Sequence, residues 1–173
     1  EAAALLAFAL LAQQDRVGAV LVTDAGVTEC RPARSRAGVM HFLQLLASAN
    51  QALHADAPAG APTSLDNVLE SVARLARRDY LVIVLSDFDV IGARSEALLS
   101  ALCQHNDVVL APVTDPLAEH LPDDLGQVVS DGTVQAWLDT GDARIRSALD
   151  AVSQQRREQL LQWQQRYGLS IAP

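Results

Sequence analysis

Three uninterrupted apolar runs, Val17-Gly18-Ala19-Val20-Leu21-Val22, Leu81-Val82-Ile83-Val84-Leu85 and Val108-Val109-Leu110-Ala111, are separated by segments whose apolar residues recur at helical spacing. A run of this kind suits a strand covered on both faces, and strands that alternate with helices build an α/β domain around a mostly parallel sheet. The alternation therefore predicts a three-layer α/β/α, Rossmann-like domain with a mostly parallel central sheet and an antiparallel edge hairpin. Its most apolar strand, Tyr80–Ser86, is expected at the centre of the sheet.

The remaining elements follow from periodicity and punctuation. A helix is predicted over 2–15, a strand over Val17–Thr23, and a turn at Asp24-Ala25-Gly26 into a short strand, Val27–Arg31. Val39, Phe42, Leu43, Leu46 and Leu53 mark a helix over about 35–54, and Ala55–Pro62 breaks regular structure. Leu65, Val68, Leu69, Val72 and Leu75 mark a helix that ends near Arg77. After Tyr80–Ser86 come a helix over 95–105, a strand over Val108–Val113 and a polar hairpin, Gln127–Ser130 with Thr133–Leu138. A long helix carries Ile145, Leu149, Val152, Leu160, Trp163 and Tyr167 on one stripe, Gly168 caps it, and Leu169-Ser170-Ile171 starts a last strand.

At 173 residues the chain is the size of one domain and long enough to bury a core without disulfides or metal. All 13 basic residues are Arg, against 21 acidic residues and a net charge of −8. That balance repels nucleic acid and anionic lipid, and the absence of Lys excludes lysine-dependent catalysis within this chain. Cys30 and Cys103 stand far apart in no CxxC arrangement, as reduced thiols do, so the cytoplasm is the default compartment. The apolar stretch Ala2–Ala12 is far shorter than the ~20 residues of a membrane span and has no basic flank. It is expected to be a buried helix, and this segment is not expected to insert into a membrane.

In a parallel sheet, sites gather at the carboxyl ends of the strands. Asp24, Asp87, Asp89 and the pair Thr114-Asp115 all trail predicted strands. Geometry adds Thr63. The helix that starts near Ser64 is about 21 Å long at 1.5 Å per residue, and the strand after it spans about 23 Å. With Arg78-Asp79 as the only link, the two must lie antiparallel, bringing Thr63 to the same edge as Asp87. A Thr hydroxyl and an aspartate suit a hard cation such as Mg²⁺. The plainer reading is that Thr63-Ser64-Leu65-Asp66 is a helix-capping pattern and Asp87 a solvated turn residue.

Asp15-Arg16-Val17-Gly18-Ala19-Val20-Leu21-Val22, Thr63-Ser64-Leu65-Asp66-Asn67-Val68-Leu69, Val82-Ile83-Val84-Leu85-Ser86-Asp87-Phe88 and the Val108–Thr114 strand followed by Asp115-Pro116-Leu117 stand in an order that resembles bacterial von Willebrand factor A-like domains. The resemblance is specifically to domain-of-unknown-function family 58. It implies a metal-ion-dependent adhesion site with Thr63 as the Thr ligand and Asp87 as the second-loop Asp. It also implies protein binding rather than catalysis, with a MoxR-type AAA+ ATPase as partner and a parent protein that is membrane-tethered in many relatives. The fold's D-x-S-x-S motif is not present in this sequence. The first central strand is therefore expected to be missing, as in a C-terminal fragment, and Mg²⁺ to bind weakly. Val17–Thr23 and Leu81–Ser86 are then expected to pair with each other or to recruit a partner strand, which would make a homo-oligomer.

The enzyme alternative rests on Asp87-Phe88-Asp89, which resembles the D-x-D motif of Mg-dependent haloacid dehalogenase-like phosphatases, with Asp87 as nucleophile and Asp89 as general acid. That chemistry wants a cation at the phosphoryl group, and no Arg stands in an evident motif for it. His41, His54, His105 and His120 lack metal-ligand spacing. Arg74, Arg77 and Arg78 suit a helix C-terminus, and Arg31, Arg34 and Arg36 flank a predicted loop.

Overall fold

A computed structural model of the chain describes residues 1–23, 26–53, 64–114, 126–130 and 135–172. They form two compact units, Glu1–Leu75 and Ala76–Pro173.

The first unit contains α1 (Ala2–Ala12), β1 (Val17–Thr23), β2 (Gly26–Ala33), α2 (Arg36–Gln51) and α3 (Leu65–Leu75). β1 and β2 pair antiparallel from Thr23↔Gly26 to Val17↔Ala33, with a bulge in β2 at Arg31-Pro32 opposite Gly18. β2 thus runs two residues beyond the predicted Arg31, because Val17 finds its ladder partner there. All three helices pack on β1, and Ala7, Leu21, Val39 and Phe42 form a core between α1, α2 and β1. Ser35 starts α2 by accepting the Gly38 N–H on its hydroxyl, and Arg74 of α3 donates to Glu29 of β2 at 3.1 Å.

The helix predicted over 2–15 ends at Ala12, where Gln13 caps it and Gln14 turns left-handed at φ 64°. Leu5, Leu6 and Phe8 on α1 remain exposed, so its burial is confined to one side. The apolar run of β1 was expected to be covered on both faces; only Leu21 in it is fully buried.

The second unit contains β3 (Leu81–Ser86), α4 (Ala93–Cys103), β4 (Asp107–Pro112), β5 (Gly126–Ser130), β6 (Gln135–Asp139), α5 (Ala143–Tyr167) and β7 (Ser170–Ile171). β3, β4 and β7 form a parallel sheet in that order. α4 packs on β4, α5 on β7, and the two helices touch. Val82 and Val84 stand in register with Val108 and Leu110, and these four side chains make the buried face of the sheet. Leu99 and Leu102 of α4 and Leu160 and Trp163 of α5 are buried with Leu169. α5 is packed only through its C-terminal half: Val152, on the predicted apolar stripe, is 55 % exposed. Gly168 ends the helix in the left-handed conformation at φ 68°. β5 and β6 form a separate antiparallel hairpin.

The chain is thus an α/β protein with five helices, a three-stranded parallel sheet and antiparallel hairpins among the described residues, compatible with the predicted Rossmann-like class. Two placements differ from expectation. β3 lies at the margin of its sheet rather than at the centre, and burial alternates along it, with Leu81 and Leu85 exposed. Five residues, 76–80, separate α3 from β3 instead of two. Within them Asp79 is left-handed at φ 61° and donates its N–H to the His105 carbonyl at 2.8 Å.

Candidate functional site

The C-terminal end of β3 runs into Ser86-Asp87-Phe88-Asp89, a turn that its own polar groups hold in shape. The Ser86 hydroxyl accepts the Phe88 N–H at 3.1 Å and donates to Asp87 Oδ1 at 3.4 Å. Asp87 Oδ1 also accepts the Asp89 N–H at 3.2 Å. Phe88 sits between the two aspartates at φ 54°, a conformation that costs a bulky residue energy. Its ring, 1 % exposed, is the anchor that holds the backbone there. One buried aromatic therefore leaves the carboxylates on either side in solvent.

The two carboxylates have different partners. Asp89 Oδ1 lies 2.6 Å from Arg156 Nη2 of α5, while among the described residues Asp87 is engaged only by groups of its own turn. On the neighbouring strand, the Val113 N–H donates to the Ser86 carbonyl at 2.9 Å, so the ladder continues past Pro112. Thr114 follows, exposed. This rim offers an oriented, solvated carboxylate with a hydroxyl beside it and a guanidinium held by the adjacent aspartate.

Asp87 and Asp89 both follow the end of β3 in one turn. Thr63, Asp24 and Asp115, the other predicted rim residues, lie outside the described residues, as do His54 and His120. His41 and His105 are exposed on or beside helices. Among the described residues no three His, Cys, Asp or Glu side chains come together as a metal set. Asp87 and the Ser86 hydroxyl alone do not make the octahedral oxygen shell that Mg²⁺ requires.

Sequence reasoning gave no role to Arg156. Its partner is 67 positions away (156 − 89) on a different element, and no spacing rule links such residues. The same holds for Glu96 on α4, whose Oε1 accepts the Tyr167 hydroxyl at 2.6 Å and Arg166 Nη1 at 2.9 Å. This contact lies beside a polar cavity of about 320 Å³ walled by Gln155, Glu158, Gln159 and Gln162.

The model of the family described as "Protein of unknown function DUF58" matches residues 1–159. The chain belongs to that family. The match takes in the whole Ser86–Asp89 rim and all of α5 up to Gln159, so the site described above is part of a DUF58 domain. No curated protein and no solved structure matches the chain. No helix among the described residues is long and apolar enough to cross a membrane.

Proposed function

We propose that this DUF58 chain is a non-enzymatic protein-interaction domain of von Willebrand factor A type. Its carboxyl rim at Asp87 is a metal-ion-dependent adhesion site reduced to a few of its ligands. The observation that carries this reading is Asp87 itself. It follows the last residue of a parallel strand, is oriented by two hydrogen bonds, and remains exposed where a partner carboxylate and a shared cation can reach it. Its neighbour Asp89 is engaged by Arg156, an arrangement suited to holding a loop.

In this reading Thr63 and Asp87 contribute the chain's oxygens to Mg²⁺, and water supplies the rest of the shell. A site with so few protein ligands binds Mg²⁺ weakly, at roughly millimolar concentrations or above, and a partner's carboxylate strengthens it by adding a ligand. The partner proposed is a MoxR-type AAA+ ATPase, met in the cytoplasm. The edge of β3 away from β4, which has no ladder partner among the described residues, offers a second mode of contact, pairing with a strand of another chain.

The test is sedimentation of the chain with a MoxR-type ATPase, with Mg²⁺ and with EDTA. The expected result is a Mg²⁺-dependent complex that Asp87→Ala weakens about tenfold or more. Mg²⁺-dependent hydrolysis of p-nitrophenyl phosphate that disappears in Asp87→Asn would overturn the non-enzymatic reading.

A further inference from the structure

The β5–β6 hairpin carries the most exposed large aromatic side chain among the described residues. Trp137 is 65 % exposed and stands directly opposite Val128, itself 62 % exposed. Tryptophan is among the residues a fold most often covers, and interface hot spots are enriched in it. Side chains alternate along a strand, so the face that bears Trp137 also bears Asp139 on β6 and Gly126 and Val128 on β5. Asp139 and Gly126 are a cross-strand pair, and both are exposed.

Two features make this face a formed surface. Gly126 leaves room for the indole: a methyl group there would stand 2.7 Å from Trp137 Cζ2 and 3.4 Å from Cη2. The benzo ring thus rests against the bare backbone of β5, and its position is set before any partner arrives. Asp139 is fixed as well, because its Oδ1 accepts the Gly141 N–H at 2.9 Å. A two-stranded hairpin is marginal without further cover, and this one exposes an apolar pair at its centre.

Charge selects the occupant. Asp139 is the one charged residue of β5 and β6, in a chain of net charge −8. The indole face is the negative pole of a quadrupole, and a carboxylate follows two residues along the same strand. We infer that the outer face of this hairpin is a docking site for a positively charged segment of a protein partner. An Arg or Lys of that segment lies over Trp137, with its charge beside Asp139. Arg is favoured, since its planar guanidinium stacks on the ring while pairing with a carboxylate. The inference does not rest on the Asp87 rim.

The test uses the full chain and a fluorescein-labelled hexa-arginine amide, followed by anisotropy at about 0.05 and 0.15 M salt. Saturable binding is expected at both concentrations. Trp137→Ala should weaken it about tenfold, and Asp139→Asn about threefold. Glu158→Gln, which removes the same charge from exposed α5, should stay within about twofold of the parent. Gly126→Ala displaces the indole and should weaken binding although it leaves every charge in place. Trp163, buried at 2 % exposure, reports by its fluorescence that the Trp137 variants remain folded. Equal losses in Asp139→Asn and Glu158→Gln with none in Trp137→Ala would overturn the site in favour of diffuse attraction by a negative chain. A parent chain that ignores the peptide but doubles its mass with concentration, and loses that in Trp137→Ala, would overturn it in favour of a second copy as occupant.

Discussion

Tyr167 donates its hydroxyl hydrogen to Glu96 Oε1 at 2.6 Å, and that hydrogen bond is the main reason its pKa is raised. Desolvation adds to the rise, and the Arg166 guanidinium, 5.4 Å from the ring centroid, works against it. Only the neutral phenol can donate. The stability it contributes is therefore complete below the ordinary tyrosine value of about 10 and is lost as pH climbs through the higher folded value. Tyr167→Phe is expected to melt below the parent at about pH 8, and the gap should narrow above about pH 10. Thermal melts of both proteins across that range check it. At this scale the sequence shows residue chemistry but not long-range pairs. Asp87 and Asp89 were readable as rim carboxylates because both trail an apolar run. Arg156 and Glu96 were not, since α5 must reach the turn after β3 before Arg156 meets Asp89 and pack on α4 before Glu96 meets Tyr167. Nor does an aspartate's position after a strand reveal that the Phe88 ring is the anchor of its turn.

Between α4 and β3, one side chain sets how two elements meet. Asn106 Nδ2 donates to the carbonyls of Ala76 at 3.2 Å and Leu102 at 3.1 Å, while its Oδ1 accepts the Tyr80 N–H at 3.0 Å. It joins the exit of α4 to the entry of β3, beside the Asp107 N–H that donates to the Tyr80 carbonyl at 2.9 Å. Asn106→Ala leaves the Tyr80 N–H and the Ala76 carbonyl to find new partners, while the Leu102 carbonyl keeps the His105 N–H, and should cost about 1–3 kcal/mol in urea denaturation. Asn106→Asp keeps the acceptor but sets a carboxylate oxygen against the Ala76 and Leu102 carbonyls, so it should be no more stable than Asn106→Ala at neutral pH. The elements themselves were largely legible: apolar runs located β1, β3 and β4, and Gly168 marked the end of α5. Their surroundings were less so. Leu81-Val82-Ile83-Val84-Leu85 reads as buried on both faces, yet only Val82 and Val84 are fully buried. An unbroken apolar run shows that a strand can be covered, not that it is. The placement of Thr63 against Asp87, which the helix and strand lengths favoured, falls on a residue outside those described.

For the molecule as a whole, two properties bear on how it associates: an isoelectric point near 4.8 and a β3 whose outer edge has no ladder partner among the described residues. At neutral pH a charge of −8 keeps copies apart. Near the isoelectric point that repulsion vanishes and the open edge decides. Leu81 is 50 % exposed at the start of β3, where a cation is the usual protection of an edge strand. Leu81→Lys should therefore lower light scattering at about pH 5 severalfold and leave the melting temperature at neutral pH within a few degrees. The five residues from Leu81 to Leu85 contain no charge, no proline and no glycine, the make-up of segments that stack into cross-β fibrils. Once heat or acid loosens β3, this short stretch is where one molecule can template the next.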